Sequence, residues 1–119
     1  TRLFFDTQKA ALRSGRAAGT EWDNAGIGSY STAMGYNVSA AGESALALGQ
    51  MINASGNYAV ALGYNLNATA ESAVAIGKNS TASANGAVAL GWSAEALGAA
   101  SYSLGTSTYA SGISAYAFG

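Results

Sequence analysis

Small and large residues alternate along this chain in a block that returns every fourteen positions. Residues 44–49, with the sequence SALALG, form one copy of the block, and each copy ends in a glycine. The glycines of successive copies are Gly35, Gly49, Gly63, Gly77, Gly91, Gly105 and Gly119. A constant spacing without insertion or deletion indicates a repeat architecture. Alternation with a period of two predicts a β-strand, whose successive side chains point to opposite faces.

Large residues occupy two positions of each predicted strand, and Ala or Ser occupies the positions beside them. The small rows are Ser31, Ala45, Ala59, Ala73, Ala87, Ser101 and Ala115, and Ala33, Ala47, Ala61, Ala75, Ala89, Ser103 and Ala117. If the large residues filled the interior, nothing would restrict both small rows to Ala or Ser. We therefore predict a narrow interior lined by the small rows, with the large residues facing outward.

The outward large residues predict an interface between chains, because a soluble monomer rarely exposes so extensive an apolar patch. The predicted interface residues are Leu46, Leu48, Val60, Leu62, Val74, Ile76, Val88, Leu90, Tyr102, Leu104, Tyr116 and Phe118. Rods that run in parallel around one axis need cyclic symmetry, and a two-fold or a three-fold arrangement would bury this face. The spacing of the residues leaves both arrangements open.

Each unit also has a second half that contains a further alanine and, in most units, a further glycine. The alanines are Ala40, Ala54, Ala68, Ala82, Ala96 and Ala110, and the glycines are Gly28, Gly42, Gly56, Gly98 and Gly112, with Ala70 and Ala84 as exceptions. Fourteen residues suffice for two short strands and two tight turns, and we expect positive φ at the glycines of both corners. The predicted fold class is all-β, a parallel β-roll solenoid with coils about 4.8 Å apart.

The first part of the chain does not follow the repeat, so we predict an N-terminal cap over residues 1–27 and the repeats over residues 28–119. The end of a solenoid exposes a strand edge and an open core, which favours a cap rich in large apolar residues. The predicted covering residues are Leu3, Phe4, Phe5, Leu12 and Trp22. A binding tip at the end of the rod is the alternative interpretation.

Residue types that the sequence lacks narrow the function. The chain has no Cys and no His, which removes thiol nucleophiles and the commonest general base and metal ligand. We therefore predict no enzyme activity, no cofactor and no metal. A net charge of −1 with 9% charged residues lacks the basic footprint of a nucleic-acid partner. No apolar run is long enough to span a bilayer, and we expect no membrane contact by this segment.

The repeats resemble the head repeats of trimeric autotransporter adhesins, the YadA-like heads of Gram-negative surface proteins. Residues 71–82, ESAVAIGKNSTA, show the similarity most clearly, and it extends over residues 28–119. The resemblance implies a left-handed β-roll and a homotrimer with the Val and Ile rows at its centre. It also implies an extracellular position on the bacterial surface, with stalk and anchor elsewhere in a longer protein. Residues 1–22 depart from the best-known heads.

The predicted function is that of a cell-surface adhesin head, which binds a host matrix protein, a glycan or cells and catalyses nothing. Candidate contact residues follow the glycine: Tyr36, Tyr64 and Trp92. Rigid amphipathic aromatic side chains make good recognition anchors. The alternative is that these rings cover a neighbouring coil or a boundary between chains.

The other polar residues of the repeats have structural interpretations, and two alternative functions are compatible with the repeat pattern. Asn37, Asn65 and Asn79 are expected to be turn residues, because Asn tolerates left-handed backbone. Glu43, Glu71 and Glu95 are too sparse for a catalytic carboxylate pair.

One alternative function is a structural or receptor-binding segment of a phage or injection-apparatus tail fibre, since similar repeats occur there. The other is an ice-binding solenoid, which would need a flat outward Thr array that the sequence lacks.

Overall fold

The computed structural model describes residues 1–19 and 21–119, and they form a rod measuring 40 × 21 × 16 Å. Twelve strands and one turn of 3₁₀ helix, Asn24–Gly26, make up the described chain. The strands are β1 Arg2–Asp6, β2 Ala11–Arg16, β3 Thr32–Ser39, β4 Leu46–Ala54, β5 Val60–Ala68, β6 Val74–Lys78, β7 Thr81–Ala82, β8 Val88–Trp92, β9 Glu95–Ala96, β10 Tyr102–Thr106, β11 Tyr109–Ala110 and β12 Tyr116–Phe118.

Strands of successive repeats pair in parallel with a register of fourteen residues. Gly49 lies opposite Gly35 on one side and opposite Gly63 on the other. The same offset relates β5 to β6, β6 to β8, β8 to β10 and β10 to β12. Each repeat is therefore one coil of a parallel β-solenoid, which confirms the predicted fold class.

The interior of the solenoid is lined by the small rows, as predicted. Ala47, Ala61 and Ala75 are consecutive members of one row, and none of them is accessible to solvent. The alanines of the second half, such as Ala54 and Ala68, are equally buried. Because every interior position faces another strand of the same narrow coil, only a side chain the size of a methyl group fits at most of them.

A further interior row in the second half of each coil was not predicted. It contains Val38, Ile52 and Leu66 in the coils of β3, β4 and β5, and Ser80, Ala94 and Thr108 in the coils that begin with β6, β8 and β10, and all six are buried. The coils with a large residue here keep one continuous strand of eight or nine residues, namely β3, β4 and β5. The coils with a small or polar residue have two short strands separated by a break, such as β6 and β7. The prediction of two strands in each unit is therefore correct only from β6 onward.

The turn after each first strand needs left-handed backbone, as predicted. Gly49 has a φ of 132°, and a Cβ atom there would overlap the carbonyl oxygen of Gly63. Asn37, Asn65 and Asn79 have φ values of 52°, 53° and 55°, the left-handed backbone expected of turn residues, although Asn37 and Asn65 lie within the continuous strands β3 and β5.

The glycines of the other corner contradict the prediction of positive φ. Gly42 keeps ordinary backbone, and it is glycine because a Cβ atom would overlap the carbonyl of Gly56 in the next coil. Left-handed backbone occurs two positions later, where Ser44 and Tyr58 have φ values of 54° and 62°. Close stacking of coils, not turn geometry, therefore explains this row of glycines.

The N-terminal segment begins with an antiparallel hairpin of β1 and β2. Strand β2 then pairs in parallel with β3, and Gly15 lies opposite Gly35, twenty residues later. Strand β2 thus occupies the place of a coil strand, and the extra residues before β3 form an excursion that contains the 3₁₀ turn. The division of the chain at residue 27 stays a prediction.

Of the five proposed covering residues, two close the end of the roll and three do not: Phe4 and Trp22 close it, and Leu3, Phe5 and Leu12 do not. Trp22 is buried, its indole Nε1 donates a hydrogen bond of 3.1 Å to the Val38 carbonyl, and its ring packs edge-on against Phe4 at 5.8 Å. By contrast, Leu3 is 72% exposed and Phe5 is 58% exposed. Strand alternation places Leu3 and Phe5 on the outward side of β1, and Leu12, which pairs with Phe5, on the outward side of β2. The prediction that these three side chains cover the end of the roll was therefore wrong.

Arg13 closes the interior at this end, although its position belongs to a small row. It lies opposite Ala33 and is completely buried. One terminal guanidinium nitrogen donates to the carbonyl of Leu12 at 2.9 Å, and the other donates to the Ser31 hydroxyl at 2.8 Å and the Ala40 carbonyl at 3.1 Å. Burial lowers the pKa of Arg13, and the charge of Asp6 partly offsets this.

We predict that Arg13→Ala loosens the first coil without unfolding the rod. The substitution leaves a void and removes the donors from several buried carbonyls, each worth about 1–3 kcal/mol when left unpaired. Amide hydrogen exchange should therefore accelerate at Leu12, whose N–H donates to the Ser31 carbonyl. The matched control is Arg16→Ala, which removes an exposed arginine three positions away. Equal exchange in the two variants would contradict a closing role for Arg13.

Candidate binding surfaces

The large residues of the first strands form one continuous surface, here called the outer face. It consists of two columns of side chains that run along the rod. The first contains Phe5, Leu12, Thr32, Leu46, Val60, Val74, Val88, Tyr102 and Tyr116, and the second contains Leu3, Ser14, Met34, Leu48, Leu62, Ile76, Leu90, Leu104 and Phe118. All of these side chains are partly or largely exposed in the single chain.

Contacts within the outer face follow the stacking of the coils. The rings of Tyr102 and Tyr116 lie on adjacent coils, stacked at 4.9 Å with an angle of 14° between their planes. Phe118 packs edge-on against Tyr116 at 6.3 Å. The hairpin strand β1 adds Phe5 and Leu3 to the same two columns. The sequence predicted this surface for the repeats but not its extension onto β1.

A second surface lies just beyond the glycine turn and is here called the corner column. Its residues are in register on successive coils: Arg16, Tyr36, Gln50, Tyr64, Lys78, Trp92 and Thr106. Tyr36, Tyr64 and Trp92, the predicted contact residues, therefore lie in a single line. Tyr64 is 40% exposed and Trp92 is 54% exposed.

Cations and rings alternate within the corner column and contact each other. The Lys78 ammonium lies 4.8 Å from the centre of the Trp92 ring and 5.7 Å from that of Tyr64. The Arg16 guanidinium lies 5.4 Å from the centre of the Tyr36 ring. Such contacts are favourable by about 0.5–1 kcal/mol at exposed sites. They hold long surface side chains in a fixed order along the rod.

The remaining candidate polar residues do not converge on one site. The Asn65 side-chain amide donates to the Asn79 oxygen at 3.0 Å, so these asparagines bridge adjacent coils beside the corner column. Glu43, Glu71 and Glu95 are exposed. In the part of the chain that the structure describes, no group of three acidic, His or Cys side chains could hold a metal ion.

The excursion before β3 borders a shallow cleft of about 550 Å³, which the sequence did not predict. Its lining includes Glu21, Asp23, Asn37, Ser39 and Asn53. The Glu21 carboxylate accepts a hydrogen bond from the Gly19 N–H at 2.9 Å, and Asn37 accepts one from the Ala18 N–H at 2.8 Å. These bonds fix the path of the excursion.

Across residues 1–19 and 21–119, no helix has the length and apolarity needed to cross a membrane.

Comparison with protein families gives a match to a repeat family. The family described as YadA head domain repeat matches residues 27–50, 40–65 and 68–94, which together make up more than half of the chain. The matched segments span β3 to β8, apart from residues 66–67 within β5, and so contain most of the outer face and the centre of the corner column. A comparison with curated proteins finds no match.

Proposed function

Because this chain belongs to the family of YadA head domain repeats, we propose that it is the head of a trimeric adhesin that binds host matrix, glycan or cells. The family is an adhesin fold and not an enzyme family, and its heads form homotrimers in general. The proposed location is the bacterial cell surface. The proposed chemistry is binding alone.

The outer face is the observation that carries the proposal. Two unbroken columns of mostly large apolar side chains run the length of the rod, and the single chain leaves them in contact with water. Burial of one such side chain is worth roughly 1.5–3 kcal/mol, so a second and third copy of the chain gain much by covering it. Three rods that turn this face toward a common axis form a closed prism.

The proposed trimer interface comprises the outer-face residues of the repeats, from Leu46 to Phe118. Strand pairing keeps them in two straight columns, so three identical chains can meet without a change of register from coil to coil. Residues just beyond the glycine turn lie at the edge of this proposed interface and are the candidates for contact with a ligand. Tyr36, Tyr64 and Trp92 belong to this group.

The mass of the protein in solution tests the proposal. Light scattering after size exclusion should give about three times the 11.8 kDa of one chain. The trimer should persist on dilution, because the face that holds it together is apolar and extensive. A monomer with native β-structure would contradict the proposal, since the outer face would then be stable in water. A dimer would contradict three-fold symmetry.

A further inference from the structure

We propose that the corner column binds a linear acidic glycan built from a repeating disaccharide, with the sugar chain parallel to the axis of the rod. This inference rests on the proposed function, because it names a ligand class for an adhesin head. It goes further by assigning the surface, the direction of the ligand and the role of each coil.

The corner column has a period of two coils. From β3 onward it reads Tyr, Gln, Tyr, Lys, Trp, Thr, so aromatic and polar side chains alternate strictly over six coils. Residues at neighbouring corner positions, such as the Asn37 and Val38 rows, show no such alternation. The pattern is therefore a property of this column and not of the repeat in general.

The period has a length that a sugar chain can match. Two coils span about 9.6 Å, since paired strands lie about 4.8 Å apart. This is close to the length of one disaccharide in an extended β-linked polysaccharide, in which alternate sugars present the same side. Successive rings of the column would then pack against the apolar C–H surface of alternate sugars, one sugar to each ring. Gln50, Lys78 and Thr106 would hydrogen-bond to the sugars between.

Charge selects an acidic glycan over a neutral one. The corner column contains Arg16 and Lys78 but no Asp or Glu. Both cations lie on coils whose column residue is polar and not aromatic, and they are four coils apart. Four coils correspond to two disaccharides of the proposed ligand. A carboxylate carried once in each disaccharide would therefore come into register with both. A trimer would present three such columns.

The cations and rings of the column contact each other in the absence of a ligand. The Lys78 ammonium is held between the rings of Tyr64 and Trp92, and the Arg16 guanidinium is held against Tyr36. Association normally costs about 0.5–1.5 kcal/mol for each flexible side chain that becomes fixed, and side chains already fixed avoid part of this cost. The column also lies past the glycine turn from the outer face, with Tyr64 and Trp92 about half exposed.

The test uses hyaluronan oligosaccharides, which are linear, β-linked, carboxylated and alternating, and titrates them into the assembled protein by calorimetry. We expect affinity to rise with each added disaccharide up to the three that the rings can engage. Tyr64→Ala and Trp92→Ala should each weaken the hexasaccharide at least about tenfold, the loss typical of a central aromatic anchor. Lys78→Gln should weaken it less and should lower its salt dependence by about half, because Arg16 still contacts a second carboxylate.

The matched control is Tyr109→Ala, which removes an exposed ring from a different column. It should bind the hexasaccharide like the parent chain. Chitin hexasaccharide, which is β-linked but uncharged, should bind at least about tenfold more weakly. Equal affinity for the two sugars, or equal binding by the Tyr64→Ala and Tyr109→Ala variants, would overturn the assignment.

Adhesion to cultured cells separates this inference from the proposed function. If the trimer adheres to cells while hyaluronan neither binds nor competes, the adhesin function stands and the glycan assignment is overturned. If column variants lose adhesion to a purified matrix protein without any sugar effect, the column binds protein and the glycan assignment is again overturned. If the trimer adheres to nothing, the proposed function itself fails.

Discussion

Replacement of Ala61 by leucine is expected to destabilise the solenoid strongly, because the interior beside β5 has no room for the larger side chain. Ala61 has no solvent-accessible surface, and its neighbours along the interior row are Ala47 and Ala75, equally buried on the adjacent coils. Extra methylene groups in a well-packed core typically cost about 1–3 kcal/mol and occasionally more. Here the coils above and below are fixed by strand pairing and cannot move apart, so we expect about 3 kcal/mol or more.

The measurement for Ala61→Leu is thermal unfolding followed by circular dichroism. A loss of about 3 kcal/mol lowers the Tm by more than about 10 °C in a chain of this size. The control is Thr69→Leu, which places the same side chain at an exposed position after the end of β5. Its Tm should stay within a few degrees of the parent value. A parent-like Tm for Ala61→Leu would mean that the interior is wider than the alanine rows indicate.

Replacement of Leu62 by aspartate is expected to dissociate the proposed trimer while leaving the interior of each chain unaltered. Leu62 is the next residue after Ala61 and points to the opposite side, into the outer face between Leu48 and Ile76. A trimer would bring three carboxylates together near its axis, without partners and without water. Removal of one partner from a buried charge pair already costs about 3–5 kcal/mol, and here no partner exists at all.

The measurement for Leu62→Asp is mass in solution across a dilution series. The variant should dissociate at concentrations where the parent remains trimeric, and it should recover partly at low pH, where the carboxylates are neutral. Thr69→Asp introduces the same charge at an exposed position and should stay trimeric. An intact Leu62→Asp trimer at neutral pH would show that another surface holds the chains together.

The parts of the fold that repeat without change could be predicted from the sequence. Ala47, Ala61 and Ala75 occupy one interior row, and their uniform small size had only one physical explanation. The row of Val38, Ile52 and Leu66 was missed because it changes to Ser80, Ala94 and Thr108, so no single residue type marks it. Burial at these positions follows from strand alternation around the turn, which sequence spacing alone does not reveal.

The N-terminal coil was missed for a different reason. Residues 11–15, ALRSG, share the small-then-large start and the final glycine of the repeat, but the next glycine in register comes twenty residues later. Arg13 and Ser14 also stand where alanine and a large residue are expected. The excursion before β3 hides the period, and the arginine hides the interior row. The signal that could have revealed the coil is the order small, large, then glycine at the fifth position. The candidate contact residues Tyr36, Tyr64 and Trp92 share one position of the repeat, which predicts a common column, and the strand register places them in one. Their contacts with Arg16 and Lys78 depend on side-chain conformations and could not be predicted.

The fixed register of the coils has a consequence for how such a gene can change length. Recombination between repeats removes or adds whole units. The interior and the outer face keep their residue types after such a change, because each coil pairs only with its neighbours. The corner column does not survive equally, since its aromatic positions fall on alternate coils. Loss of one unit brings two like residues together and moves all later rings out of step with the earlier ones, whereas loss of two units restores the spacing. Inheritance of this surface should therefore favour lengths that differ by pairs of repeats.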